Sequence, residues 1–230
     1  MSSRAGRYKQ VKRHSMKLFT YLLCLFTASV IYSQREYNFD CEVQYQIKSK
    51  FRNLDYTRTY YINTKDNSYF AVKVPVEKSK YNLQIIDYGG LIAKQTFNAD
   101  QLNKSTVILK SDNAKFYSNP YKYQIDNYDF KKHSDTIVDG KQLNNIILAS
   151  TNSKTNRKKR IGHYKYLVDP EFQILPMFEF STAYEIFKAR KNFPKGLITQ
   201  FYMYDSKNEM GTSQILKGFI FRDFKILFSN

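Results

Sequence analysis

The chain has 230 residues, with 37 basic and 20 acidic side chains, and it is rich in aromatic residues, with 20 Tyr and 18 Phe but no Trp. Aromatic side chains suit the pleated, half-buried surface of a β-sheet, so this composition favours a β-rich fold. The sequence has only 8 Gly and 5 Pro, which argues against a disordered chain and against a Gly-rich phosphate-binding fold.

An apolar segment near the N-terminus predicts export. Residues 18–31 are too few to span a bilayer as a helix, which takes about 20 residues, but they match the apolar core of a secretory signal. Lys17 precedes this core and Ser33 follows it, so we predict a signal peptide over residues 16–33, cleaved before Gln34. Residues 1–15 are basic and lack apolar periodicity. They are either translated sequence upstream of a start at Met16 or an extended n-region.

The exported part then comprises residues 34–230, a single β-rich domain in the periplasm or cell envelope, or secreted, with no membrane anchor after cleavage. Cys24 is not a lipidation site, because Leu23 stands where a lipobox needs a small residue. Cys41 is then the one remaining cysteine, so no intramolecular disulfide forms and a hydrophobic core must stabilise the domain.

The charge of the exported domain leaves two interpretations open. Residues 1–33 hold six of the 37 basic residues and none of the 20 acidic ones, so the remaining 197 residues carry a net charge of +11. This charge indicates either an anionic partner or a composition drawn from A/T-rich codons. Export argues against nucleic acid as that partner, although aromatic and basic side chains together also suit single-stranded nucleic acid.

Strand signals recur along the exported domain. Alternation over residues 39–47 predicts a half-buried strand whose apolar face consists of Phe39, Cys41, Val43, Tyr45 and Ile47. Turn signals at residues 64–67, Gly89–Gly90 and Asp139–Gly140 separate further apolar stretches. These stretches predict strands over residues 56–63, 68–74, 83–88, 91–97, 106–110, 121–131, 143–149 and 161–168.

The loop predicted between the last two of these strands is strongly basic. Its cationic residues are Lys154, Arg157, Lys158, Lys159 and Arg160. Such a cluster is either a solvated hairpin tip that discourages edge pairing or a contact for an anionic surface.

The pattern becomes helical after Pro176. Thr182 and Glu185 have the spacing of a capping box, and the apolar residues that follow predict a helix over residues 182–191. Residues 196–205 then predict a strand that is apolar on both faces, with Leu197, Phe201 and Met203 on one of them. A strand of this kind is covered on both sides, by the helix or by a bound apolar ligand. One or two closing strands with a bend at Gly218 complete the domain.

Recognised catalytic patterns are absent from the sequence. It has no G-x-S-x-G, no H-E-x-x-H and no phosphate-binding loop, and the exported domain has only His133 and His163, without metal-ligand spacing. We therefore predict no catalytic residue, no metal and no cofactor. A pair of carboxylates brought together from distant strands stays open, because distant pairs leave no local pattern.

The sequence from Tyr164 to Asp205, with its segments YKYLVDPEFQILP and KNFPKGLITQFYMYD, resembles the GLPGLI family of exported bacteroidete proteins. Gly196, Leu197 and Ile198 match the motif in register, whereas Phe193, Pro194 and Lys195 replace its first three residues, and the family's usual Trp is missing. The resemblance implies a curved sheet with a helix across its concave face, similar to periplasmic lipoprotein carriers. It implies no defined active site.

Together these features predict a mainly β fold, a single strongly curved antiparallel sheet or half-barrel with one main helix packed on one face. Two non-enzymatic functions follow. In the first, the concave face carries a lipid or other apolar ligand against Leu197, Phe201 and Met203. In the second, the domain docks on anionic lipid or polysaccharide through its basic loop.

Maturation provides a direct test of the predicted signal. We expect the protein in a bacterial envelope fraction to begin at Gln34, because the apolar core is short and ends beside Ser33. Intact-mass spectrometry of the purified protein measures this. A mass that retains residues 16–33 would contradict cleavage, and recovery from the cytoplasm would contradict export.

Overall fold

The structure is a computed structural model that describes residues 35–50, 52–119, 122–152 and 161–229. Within these residues twelve strands form one sheet, which confirms the mainly antiparallel β fold with one main helix. In chain order the strands are β1 Glu36–Ser49, β2 Leu54–Ile62, β3 Tyr69–Glu77, β4 Lys80–Asp87, β5 Leu91–Asn98, β6 Thr106–Lys110, β7 Ala114–Phe116, β8 Tyr128–Val138, β9 Lys141–Ser150, β10 His163–Asp169, β11 Leu197–Tyr204 and β12 Met210–Ser229. The helices are the short α1 Ala99–Leu102 and the longer α2 Ser181–Arg190.

The sheet consists of two antiparallel halves joined by β1 and β12. Its order is β7-β5-β4-β3-β2-β1-β12-β11-β10-β9-β8, with β6 pairing in parallel with β12 off this path. Over its 20 residues β12 changes partners, pairing with β11 at its start and with β6 at its end, and with β1 along much of its length. The change of partner brings β6 back against β5, where the backbone N–H of Lys110 donates to the side chain of Gln95 at 2.9 Å. The sheet therefore curves over itself at this end.

One core cluster fills the inside of this curved end. Side chains from β1 to β5 pack there against α1, β6 and the end of β12, and the largest include Phe97, Phe224 and Phe228. Arg222 of β12 binds to residues of β1 and α1 at this cluster. Its guanidinium lies 3.0 Å from the buried carboxylate of Glu42 and donates to the carbonyl oxygen of Leu102 at 2.9 Å.

The other face of the sheet carries two further clusters, which lie beneath α2 and the segment that leads into it. One is formed by α2 on β8 to β11, and the other by residues 172–177 on β1 to β3. Helix α2 spans Ser181–Arg190 and agrees with the predicted helix to within one residue at each end. The predicted capping box is wrong, because Phe180 is the N-cap residue and no side-chain oxygen caps the helix.

The predicted apolar face of β1 is correct except for Phe39. Cys41, Val43 and the apolar residues after them face the cluster beneath residues 172–177, but Phe39 packs with Phe224 on the opposite face. The register between β1 and β12 shifts between Phe39 and Cys41. A bulge of this kind displaces one strand by a residue and so moves side chains to the other face.

The strand predicted over residues 121–131 is also wrong in its first half. Residues Lys122–Asn127 form a 3₁₀ helix, and β8 begins at Tyr128. The remainder of β8 continues to Val138 through mostly exposed residues at the edge of the sheet. An edge strand that is exposed in this way carries little apolar alternation, which is why the sequence did not reveal its extent.

Gly196 allows β11 to start against the end of β10. Its φ of +150° suits glycine, and a Cβ added there would lie 2.6 Å from the carbonyl oxygen of Asp169. That oxygen is backbone, so it cannot move aside as a flexible side chain would. The glycine of the Gly-Leu-Ile motif is therefore required by the close approach of two backbones.

Replacing this glycine should destabilise the fold. We expect Gly196→Ala to lower the free energy of unfolding by about 2 kcal/mol or more, because overpacking and an unfavourable φ each cost about 1–3 kcal/mol. Urea unfolding measures the change. Gly218→Ala is the matched control, since a Cβ there meets no atom within 4 Å, and we expect a change within about 0.5 kcal/mol. Equal effects of the two substitutions would contradict the close approach.

Candidate functional site

A pocket of about 500 Å³ opens between the start of α2 and the adjacent ends of β10 and β11. This volume falls within the roughly 300–1,000 Å³ that is typical of ligand pockets. Most of the lining is apolar or aromatic, with hydroxyl groups at the start of the helix and polar side chains at the strand ends. The lining residues are Tyr128, Leu148, Ile161, Gly162, His163, Tyr164, Phe180, Ser181, Thr182, Met203, Tyr204 and Asp205.

The floor of the pocket is a row of side chains that runs across neighbouring strands. Tyr164 of β10 is paired with Met203 of β11 on one side and with Leu148 of β9 on the other. Side chains directly opposite each other in antiparallel strands lie on the same face of the sheet. Three apolar side chains from three strands therefore form one continuous surface.

Phe180 forms the inner wall. Its ring stacks on Tyr164, with the centroids 4.9 Å apart, and also contacts Phe201 at 5.5 Å. The residue lies at the N-cap of α2, and the following Ser181 donates its hydroxyl to the side chain of Asn119 at 3.1 Å. The start of the helix is thereby held over the strands, with the ring of Phe180 against Tyr164 of β10 and Phe201 of β11.

A second, much smaller cavity of about 20 Å³ is also lined by Phe180, which therefore borders both spaces. Its lining is again mainly apolar, but it includes the hydroxyl-bearing rings of two tyrosines and a carboxylate. The lining residues are Tyr45, Tyr166, Met177, Glu179, Phe180, Ile198, Phe201 and Gln214.

A charged network borders the small cavity through Glu179 and Gln214, which line it. The carboxylate of Glu179 pairs with Arg58 and accepts hydrogen bonds from Tyr60 at 3.0 Å and Gln214 at 2.7 Å. Burial alone would lower the pKa of the Arg58 guanidinium, but Tyr60 and Glu179 raise it overall, so the side chain stays charged. The Glu179 carboxylate thus has hydrogen-bond partners on both β2 and β12.

The three residues predicted to form a ligand face do not all lie together. Phe201 and Met203 face α2, and Met203 lines the large pocket, whereas Leu197 packs beneath residues 172–177 in the neighbouring cluster. The pairing of β10 with β11 is irregular between Leu167 and Val168. This irregularity places Ile198, not Leu197, in the same cluster as Phe201. Whether these side chains contact a ligand stays a prediction.

Most of the lining was not identified from the sequence. Phe180 and Ser181 were missed, although the Pro-containing segment before the helix was recognised as a change of pattern. Tyr164 and Tyr166 were visible as alternating aromatics in a predicted strand, and this alternation was the available signal for the floor. The predicted basic loop, with Lys154, Arg157, Lys158, Lys159 and Arg160, lies outside the described residues.

Side chains that would bind a metal ion are not grouped in the described residues. In residues 35–50, 52–119, 122–152 and 161–229, no three His, Cys, Asp or Glu side chains come together as metal ligands. His163 stacks on Tyr204 with the ring centroids 4.8 Å apart, and burial followed by the charge of Lys165 lowers its pKa. It is therefore mainly neutral at pH 7.

Cys41 is enclosed in the core and has little thiolate character. Burial, then the charges of Asp40 and Glu42, raise the pKa of its thiol to about 11. Since the thiolate is the nucleophile, the native side chain should be inert at neutral pH.

Helices long and apolar enough to cross a membrane do not occur among the described residues.

Thiol labelling tests the inert state of Cys41. In protein that begins at Gln34, Cys41 is the one cysteine, so we expect almost no reaction with a thiol reagent at pH 7.5 in the native state and rapid reaction in denaturant. The rate should rise steeply toward pH 11 as the thiolate forms. Rapid labelling of the folded protein at neutral pH would contradict the burial and the raised pKa.

Comparisons with known proteins gave matches in structure alone. No family model matches the chain, and the curated proteins gave no sequence match. MucB matches with a TM-score of 0.40 and 8% identity, covering 80% of this chain and 53% of MucB. A DUF1329 family protein from Desulfovibrio piger matches at 0.32 and 9%, covering 82% and 86% of the two chains. A domain described as an outer-membrane lipoprotein-sorting protein from Vibrio parahaemolyticus matches at 0.26 and 10%, covering 82% and 85%.

The chain spans about half the length of the MucB structures that it matches, including one of the Pseudomonas aeruginosa MucA/MucB complex. At these identities and TM-scores, the matches carry no information about what this chain binds.

Proposed function

We propose that residues 34–230 form an exported, non-enzymatic domain that binds one apolar ligand, such as a lipid acyl chain, in the pocket beside α2. The observation that carries this proposal is the pocket itself, about 500 Å³ in volume and floored by Leu148, Tyr164 and Met203. Export is part of the proposal and is supported by the predicted signal. Membership of the GLPGLI family is also part of it and is supported by the resemblance of the segment from Tyr164 to Asp205.

The physical argument is that an apolar ligand gains binding free energy when it displaces water from the apolar surface of a concave site. The gain is roughly 25 cal/mol for each Å² of apolar surface that is buried. In this pocket the surface is preformed, because Tyr164 is held by stacking on Phe180 and Met203 by its strand pairing. A preformed site binds at a lower entropic cost than one that must be ordered.

The hydroxyls of Ser181 and Thr182 suit a ligand with a polar end. They lie at the start of a ten-residue helix and line the same pocket as the apolar floor. The polar end of a lipid placed with its chain on the floor can therefore remain near hydroxyl groups at the helix start. This arrangement supports an amphipathic ligand over a purely hydrocarbon one.

Filling the pocket should block binding. We expect Met203→Trp to weaken the affinity for cis-parinaric acid, a fluorescent polyene fatty acid, by about tenfold or more, because the indole would occupy part of the space that the ligand needs and each 1.4 kcal/mol of lost binding free energy is tenfold. Fluorescence titration gives the dissociation constant. Met210→Trp makes the same substitution at an exposed residue that does not line the pocket, so its affinity should stay within about twofold of the parent.

Two results would overturn the proposal. One is a parent protein that does not enhance the fluorescence of the probe, and the other is an equal loss of affinity in both Trp variants. Native mass spectrometry of protein taken from the host envelope adds an independent measurement, in which a co-purifying lipid is expected. A ligand-free protein would instead favour docking on the envelope through the basic loop.

A further inference from the structure

We propose that the small cavity behind Phe180 is an inner, polar subsite of the ligand pocket, in which the hydroxyl of Tyr166 binds a neutral oxygen at the inserted end of an apolar chain. This inference depends on the proposed function, because it assigns the class of ligand that the same pocket takes. The ligand is then a chain that carries a hydroxyl or carbonyl group on the end that enters first.

The first argument is that the two spaces form one path. Phe180 is the residue that the linings of the two spaces have in common. Along β10 and β11, Tyr164 and Met203 line the outer space, while Tyr166 and Phe201 line the inner one. Residues two apart on a strand are about 7 Å apart on the same face, so the inner cavity continues the same trough by about that depth.

The second argument is the state of the Tyr166 hydroxyl. Tyr166 is 3% exposed, and its hydroxyl oxygen makes no hydrogen bond with any described residue. A buried polar group without a partner is costly, and such groups in native structures call for a specific explanation. A ligand oxygen that accepts the hydrogen bond from this hydroxyl supplies one.

The neighbouring groups decide which oxygen is suitable. Tyr45 also lines the cavity, but its hydroxyl already donates to the carbonyl oxygen of Ile198 at 2.6 Å. Glu179 is negatively charged and is already paired with Arg58. A carboxylate or phosphate entering this space would meet that charge with one unused hydroxyl donor to compensate for its lost hydration, which is insufficient for a buried anion. A neutral hydroxyl or carbonyl oxygen needs only the one hydrogen bond.

Phe180 then determines how deep a ligand reaches. Its ring must turn away for the chain to pass, and it is held in place mainly by contacts with Tyr164 and Phe201. These contacts are with aromatic rings that an apolar chain can replace. Phe180 is thus a specificity-determining residue, and a smaller side chain at this position should join the two spaces.

The test compares two probes of equal chain length, 1-decanol and n-decane, by displacement of cis-parinaric acid from the protein beginning at Gln34. We expect Tyr166→Phe to weaken the affinity for 1-decanol by about three- to tenfold and to leave that for n-decane unchanged, because one hydrogen bond is lost. Phe180→Ala should strengthen binding of 1-decanol. The added substitution Tyr166→Phe in that background should remove the advantage of 1-decanol over n-decane.

Tyr45→Phe is the matched control. It removes a hydroxyl from the same cavity that is already engaged with a backbone carbonyl, so the ratio of the two affinities should not change. Thermal unfolding checks that the variants fold, and Tyr166→Phe should be as stable as the parent or more stable, since an unpartnered hydroxyl is removed.

The outcomes separate the two proposals. If Tyr166→Phe shifts both probes equally or neither of them, Tyr166 only packs and the inner subsite is wrong, while the outer pocket stands as long as Met203→Trp still blocks binding. If the parent protein binds neither probe and does not bind cis-parinaric acid, both proposals are overturned.

Discussion

The pairing of β1 with β12 is the constraint on which the rest of the structure depends. Both strands are long, 14 and 20 residues, and the register between them shifts at two places, near Phe39 and near Tyr45. Bulges increase the local twist and bend of a strand. Because β12 bends, its start can pair with β11 and its end with β6, and the sheet carries the core of the curved end on one face and the clusters beneath α2 and residues 172–177 on the other.

Partly buried ion pairs also link separate elements on the two faces of the sheet. Glu42 is buried on β1, and the guanidinium of Arg222 on β12 lies 3.0 Å from its carboxylate. Breaking a buried pair by removing one partner is strongly destabilising, because it leaves an uncompensated charge. The pair therefore helps to hold β12 beside β1, its antiparallel partner. Arg58 and Glu179 have the corresponding role on the other face, where they join β2 to the segment before α2.

The two faces differ in how completely their aromatic side chains fill space. The core of the curved end is sealed by α1 and β6, and rings such as Tyr61 and Phe224 stack directly, with centroids 4.3 Å apart. Beneath α2 the cover is one helix and an irregular segment, and it ends at Phe180 while the strands beneath continue to Tyr164 and Met203. The pocket is thus the part of this aromatic sheet face that α2 and the segment before it leave uncovered.

The sequence by itself determined the elements in which the spacing of apolar residues reflects which side chains are buried. Alternating apolar side chains located β1 because one face of that strand is buried, and helical periodicity located α2 to within one residue at each end. Gly196 stood out through its motif, and the structure supplies the reason in the backbone of Asp169. Tertiary structure alone decided the bulges that moved Phe39 and Leu197 to other faces, because a bulge depends on the partner strand. It also decided the pocket, since Phe180 becomes a wall only when it meets Tyr164 and Phe201 from strands that are distant in the chain.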